Sequence, residues 1–273
     1  LPVAGRHATF PSLASMAMNE AYVLNLTLKY NYIYLYSDGT IGQFTDAAHA
    51  TKTPIAMVVS RSKRLAVALK DATDNTALNW GPVSTQSNTT MSSTYADHQG
   101  DFNGVDYTWS ATYSKDGIVK GNDQAHYPMF YAAAHYDPGV QITGANIGKW
   151  FLPTIGEWDL YEKNIDLGSG IHNSFFYEHN PEFYGFRRAN GNNLSSAENV
   201  GGMDGRAYYI SASEASPTEY YVWGHYLQIT TWPDSHYFGA VKIKKDYSLN
   251  YTYAYYSTYP YTRKYVVRPF VKY

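Results

Sequence analysis

The chain has 273 residues with 21 basic and 23 acidic side chains, a net charge of −2 that gives no pull toward nucleic acid or an anionic membrane. It has no cysteine, which excludes disulfides, thiolate metal sites and cysteine nucleophiles together. Aromatic residues make up 17%, including 29 tyrosines, against 16% charged residues, a balance common among extracellular binding proteins.

The length suits one large domain or two small ones with a sizeable core. No apolar run reaches the roughly 18 residues that a membrane span needs. The first residue is Leu1 and no signal-peptide pattern follows, so a mature or truncated product is expected.

Residues 1–20 have no clear period and read as a lead-in. The stretch 22–29 reads as a strand, and Ile33-Tyr-Leu-Tyr36 as the next. Ser37-Asp38-Gly39-Thr40 is a turn whose Asp-Gly pair suits positive φ. Ile55-Ala-Met-Val-Val59 and Leu65-Ala-Val-Ala-Leu69 flank a polar Ser60-Arg-Ser-Lys-Arg64 and predict a hairpin. Residues 71–122 show little period and read as one long loop. A helix is expected within 125–136, starting near Pro128 and stopped by Pro138-Gly139.

Lys149-Trp-Phe-Leu152 reads as a short strand. A second helix then runs over 153–163, with Pro153 in its first turn and Trp158 and Tyr161 on one face. Residues 164–206 look irregular. Strands are expected at 207–213, 220–230, 237–245, 249–255 and 265–271, giving an α+β chain of two helices, long loops and antiparallel strands.

Three stretches carry a resemblance. The first is Tyr34-Leu-Tyr-Ser-Asp-Gly-Thr40 with the strands that follow it. The second is Trp150-Phe-Leu-Pro-Thr-Ile-Gly-Glu-Trp158. The third is Ile210-Ser-Ala-Ser-Glu214, with Trp223 downstream and the ending Tyr265-Val-Val-Arg-Pro-Phe270. In this order they resemble the C-type-lectin-like domain of Bacteroidetes surface proteins, a compact relative of the formylglycine-generating (sulfatase-modifying) fold. The resemblance covers about residues 30–273.

It implies a C-type-lectin-like domain over 31–273. The lead-in 1–30 then reads as the last strand of an upstream pilin-like module. It also implies a setting at the bacterial cell surface, associated with the outer membrane or a fimbria. The family's calcium-dependent sugar binders use Glu-Pro-Asn or Gln-Pro-Asp with Trp-Asn-Asp, and none of these triplets occurs here. Asn180-Pro181-Glu182 holds similar residues in another order. Without cysteine, formylglycine-generating chemistry is excluded.

Residues 246–273 contain nine tyrosines. In 249–255 they alternate with small polar residues, which suits either a core-packed strand or a binding face. Pro260 breaks ladder pairing, so Tyr256, Tyr259 and Tyr261 are expected on a surface turn. Tyr offers a large amphipathic area with only two χ angles to freeze, and its ring can stack on a sugar. Thr231-Trp-Pro-Asp-Ser-His-Tyr237 reads as a loop beside that face.

The candidate ligand contacts are therefore Trp232, Asp234, His236, Tyr237, Tyr256, Tyr259 and Tyr261. No catalytic motif is present and no cofactor is called for. His126 and His135 lie nine residues apart and do not make an i, i+4 metal pair. Asp101-Phe-Asn-Gly-Val-Asp106 alternates oxygen ligands as a calcium loop does but lacks the rest of that pattern.

Trp150, Trp158 and Trp223 are expected in the core, and Glu157 and Glu214 in structural roles. The expected function is non-enzymatic adhesion to a host or bacterial glycan or surface protein. Other fimbrial subunits are further candidate partners. A structural fibre subunit and an enzyme with changed chemistry are the alternatives.

Overall fold

The structure, a computed structural model, describes residues 6–7, 29–30, 33–43, 46–49, 51–73, 78–83, 85–92, 97, 100–164, 183–190, 207–215, 221–230, 235–245 and 264–273. It is mixed α+β, with two larger antiparallel-dominated sheets and three short α-helices among these residues. Helix α1 is Gly104–Trp109, α2 is Pro128–Ala134 and α3 is Ile155–Asn164.

A small ladder pairs β1 (Arg6–His7) with β2 (Lys29–Tyr30). The first larger sheet contains β3 (Ile33–Tyr36), β4 (Ile41–Gln43), β5 (Pro54–Ser60), β6 (Leu65–Ala68), β7 (Trp150–Phe151) and β13 (Phe270–Lys272). Its order is β4-β3-β5-β6-β13-β7, and every pairing is antiparallel. Gly39 turns β3 into β4 at φ +83°, the conformation expected of the Asp-Gly turn. The hairpin expected around Ser60-Arg-Ser-Lys-Arg64 is β5–β6, and Arg64 takes φ 49° within it.

Period-2 alternation sends this sheet's side chains to two apolar clusters. Tyr34, Tyr36, Met57, Val59, Leu65, Val67, Phe151 and Phe270 face one cluster. Leu35, Val58, Ala66, Ala68, Trp150 and Val271 face the other. Both faces are thus covered, which explains why its strands read as continuous apolar runs. Tyr136, Val140, Ile142 and Ile147, downstream of α2, cover the second face.

The other sheet holds β8 (Phe183–Asn190), β9 (Ala207–Glu214), β10 (Tyr221–Thr230), β11 (Ser235–Lys244) and β12 (Lys264–Val266) in the order β12-β9-β10-β11-β8. Only β12 runs parallel to its neighbour, β9. Along β9 the side chains divide. Tyr209 joins the core of the six-stranded sheet, while Ile210 and Ala212 join a third cluster with Trp80, Tyr107, Tyr127 and Phe130.

Several expectations change. Residues 71–122 contain α1, too short at six residues to show a period. Residues 164–206 contain β8, whose FYGFRRAN carries a mid-strand Gly and two Arg in place of apolar alternation. The single strand expected at 265–271 is two strands in different sheets, because Pro269 lacks the amide a ladder needs. The stretch 249–255 and residues 22–28 lie outside the described residues. Trp150 and Trp158 are buried as expected.

The motif stretches meet in the interior. Trp158 packs on Tyr209 and Phe270, with ring centroids 5.5 and 4.9 Å apart. Ala212 N–H donates to Pro153 O at 2.7 Å, and Ile155 N–H to Ser213 Oγ at 3.1 Å. The crossing between sheets, Val267-Arg268-Pro269, is held by residues 68–73. Ala68 N–H donates to Pro269 O at 2.8 Å and Ala72 N–H to Val267 O at 2.7 Å. Arg268 lies buried there, donating to Asp71 and, at 3.1 Å, to Ala68 O. The Asp71 carboxylate holds the guanidinium's pKa above its usual value despite burial.

Candidate functional site

Two arrangements bear on function, an interior network of charged side chains and the far end of the five-stranded sheet. The network begins with Thr154-Ile-Gly-Glu157, which is a capping box. Thr154 N–H donates to Glu157 Oε2 at 2.9 Å, and Glu157 N–H returns to Thr154 Oγ1 at 3.3 Å. Thr154 Oγ1 also donates to Asp101 O at 2.5 Å. Glu157 is fully buried, and desolvation raises its carboxyl to about 7, although Lys272 Nζ lies 3.7 Å from Oε1.

Asp101 is buried beside it. Its carboxylate accepts from Ser213 Oγ at 2.7 Å, Ser92 Oγ at 3.1 Å, and both Asn103 N–H and Nδ2 at 3.3 Å. Burial nevertheless raises its pKa. The stretch 101–106, whose oxygen-bearing residues alternate in the sequence, is therefore built as follows. The Asp101 oxygens are occupied by donors, and 104–109 is helix rather than a ligand-bearing loop. Among the described residues no group of three or more His, Asp and Glu could hold a metal ion. Asn180, Pro181 and Glu182 lie outside them.

The network's second half surrounds Glu214, the last residue of β9. Its carboxylate accepts Ser87 N–H at 3.0 Å and Asn88 N–H at 2.7 Å, and pairs with the buried ammonium of Lys245. Lys245 also donates to Thr85 O at 2.9 Å and stands 5.1 Å from the Trp80 ring. Nearby, Lys120 is fully buried, its Nζ beside the rings of Tyr127 and Phe130 at 5.4 and 5.5 Å. Tyr127 donates to Asp116 Oδ2 at 2.6 Å. Asn88, Lys120 and Lys245 carried no signal in the sequence, because lone polar residues in turn-rich stretches look like solvated loop.

The second arrangement is the end of the five-stranded sheet at which β8, β10 and β11 pair beyond the last β9 partner. The last β9–β10 register is Tyr226↔Tyr208, one residue inside the start of β9. Residues 228–230 of β10, 235–237 of β11 and 188–190 of β8 continue past it as a three-stranded arm. His236 stands in register with Ile229 and Ala189, and Tyr237 with Gln228 and Arg188. The opposite end of β11 leads into the anchored Lys245, whose backbone O also accepts Trp80 N–H at 2.9 Å.

Of the expected contacts, His236 and Tyr237 thus lie on this arm. Trp232, Asp234, Tyr256, Tyr259 and Tyr261 lie outside the described residues. His126 and His135 flank α2 separately. His126 Nδ1 is 2.7 Å from Asp123 Oδ2, and the His135 ring stacks on Tyr131 at 3.9 Å. Among the described residues no helix is long and apolar enough to cross a membrane.

Comparison of the chain with protein-family models, curated proteins and solved structures found no match.

Proposed function

We propose that this chain is a non-enzymatic cell-surface adhesion module of C-type-lectin-like fold, docking a glycan or protein ligand through its C-terminal aromatic residues. The observation that carries this reading is the three-stranded arm, which holds His236 and Tyr237 in its outer registers. Backbone ladders hold the three strands of the arm in register, so it loses little conformational entropy on binding. Trp232 and Asp234, two positions apart in the stretch between β10 and β11, supply an aromatic face and a hydrogen-bonding carboxylate, the pair of groups a sugar ring needs. Tyr256, Tyr259 and Tyr261 extend the same chemistry.

The test is a glycan array together with a panel of host surface proteins. Binding that disappears in Trp232→Ala and in a Tyr256/Tyr259/Tyr261→Ser variant, with Tm unchanged, supports docking through these residues. Absence of binding to either panel rejects the reading and moves the assignment to a structural fibre subunit.

A second reading, an enzyme with changed chemistry on the same scaffold, draws on the shifted groups of the interior. Glu157 and Lys120 have perturbed pKa values, as catalytic acids, bases and nucleophiles often do. Both are fully buried, so that reading also requires an opening that admits a substrate.

A further inference from the structure

We propose that the end of the six-stranded sheet where the β5–β6 turn meets α1 binds an acidic polysaccharide, a sugar chain carrying sulfate or carboxylate groups. Five cationic side chains meet there. Arg61, Lys63 and Arg64 are exposed on the turn between β5 and β6. Lys272 on β13 pairs with Leu65, the first residue after that turn. Its backbone O accepts Gly148 N–H at 2.7 Å, which brings the exposed Lys149 alongside. Asp106 is the one acid of α1.

Three of the ammonium groups are held beside α1. Lys63 Nζ lies 3.8 Å from the centre of the Phe102 ring, and Lys149 Nζ 4.3 Å from that of Trp109. Phe102, Val105, Asp106 and Trp109 recur at helical spacing and are each half-buried. Phe102 and Trp109 are seven positions apart, about 10 Å along the helix axis. Lys272 Nζ stands 3.7 Å from Glu157 Oε1, and Glu157 abuts Gly104 at the start of α1.

The charge on this face is not cancelled within it. Among the described residues Arg61, Lys63, Arg64 and Lys149 form no ion pair, and Arg64 instead lies over the Tyr273 ring at 5.9 Å. Glu157, beside Lys272, is buried with its carboxyl raised to about 7, so it offsets that ammonium in part. The turn is also ordered. Arg64 N–H donates to Arg61 O at 3.2 Å and Lys63 N–H to Ser60 Oγ at 3.3 Å. Cations set on an ordered turn lose little freedom when an anion arrives.

The chemistry favours a sugar chain over a peptide. β7 is the edge of this sheet, where an added peptide strand would pair. Trp109 Nε1–H already donates to Trp150 O at 2.7 Å, and Leu152 N–H to Thr108 Oγ1 at 3.2 Å, so α1 occupies that edge. Recognition falls to side chains. Ammonium groups are point charges that meet sulfate or carboxylate from many angles. The half-buried Phe102, Val105 and Trp109 offer apolar surface to the C–H faces of sugar rings. No residue of the C-terminal docking set takes part, so the two surfaces are separable by mutation.

Calorimetric titration of the full chain with a heparin oligosaccharide and with an oligogalacturonate tests this. At least one should bind, more weakly as salt rises. Lys63→Gln/Lys149→Gln should weaken binding about tenfold, with Tm unchanged because both side chains are exposed. Lys115→Gln, at an exposed lysine beside Ser87, and Trp232→Ala should leave it as it is.

Absence of binding to both sugars overturns the proposal. So does undiminished binding by the Lys63→Gln/Lys149→Gln variant, which would put the anion on another surface. Loss in Trp232→Ala with retention in the lysine variant would assign the sugar to the C-terminal docking residues instead. Polyglutamate or phosphatidylglycerol vesicles bound as tightly as the sugars, and weakened by the same lysine variant, would overturn the choice of a sugar chain.

Discussion

Lys245, one residue beyond β11, donates its ammonium to the carboxylate of Glu214 at the end of β9, and both side chains are buried. The pair fastens the root of the β10–β11 hairpin to the loop holding Ser87 and Asn88. Removing one partner leaves the other charge buried alone, at a cost of about 3–5 kcal/mol. Lys245→Met and Glu214→Gln should each lower chemical-denaturation stability by that order. A Lys245→Met/Glu214→Gln double variant should lose less than the sum of the singles. Additive losses would show that the two groups do not act as a pair.

Glu157 sets a pH dependence. Burial raises its folded-state pKa to about 7, from an ordinary 4.5. A raised pKa means that the folded state binds the proton more tightly. The contribution is therefore fully present below pH 4.5 and is lost as pH rises through about 7. At about 1.4 kcal/mol per unit, the swing is about 3 kcal/mol. Denaturation midpoints from pH 5 to 8 should fall more steeply for wild type than for Glu157→Gln, which keeps an acceptor for Thr154 N–H. Parallel profiles would place the titration elsewhere.

Gly104, the first residue of α1, packs against the Glu157 carboxylate. A Cβ there would overlap Oε2 and come within 2.7 Å of the Phe151 ring. Helix propensity alone favours Gly→Ala by about 1 kcal/mol. The buried carboxylate and core ring cannot withdraw, so overpacking of about 1–3 kcal/mol should win. Gly104→Ala is expected to lower Tm; an unchanged or higher Tm would mean that α1 shifts freely.

Trp158 joins α3 to both sheets through Tyr161, Tyr209 and Phe270. Trp158→Ala should cost about 3–5 kcal/mol. Trp158→Phe should cost less, because it keeps an aromatic ring against those partners. Equal losses from both would move the importance to the indole N–H, which reaches Ile210 O at 3.5 Å.

The legible parts of this fold were those where local chemistry and tertiary demand agree. The β3 turn follows from Asp38-Gly39, the β5–β6 hairpin from two apolar runs about a polar break, and α3 from the stretch after Pro153. Pro153 precedes that helix rather than lying in its first turn, because Thr154 and Glu157 cap it at Ile155. The rest depended on partners distant in sequence. Six-residue α1 has too few turns for a period, and β8 pairs through its backbone while carrying Arg187 and Arg188. Asn88 looks like a loop residue until Glu214, 126 positions away, accepts its backbone N–H, and Lys120 does so until Tyr127 and Phe130 pack beside it. Among the expected ligand contacts, position in the fold is defined for His236 and Tyr237.

The placement of β13 between β6 and β7 also governs how the molecule must assemble. Arg268 binds a carbonyl 200 residues earlier in the chain, and Phe270 pairs with Val67 beside it. Most of the polypeptide is synthesised while that slot, one strand in from the sheet edge, stands open. Pairings of such long range form slowly because loop closure precedes their reward. Nascent chains should therefore be prone to aggregate until the closing strand arrives, and holding chaperones should engage them during that interval.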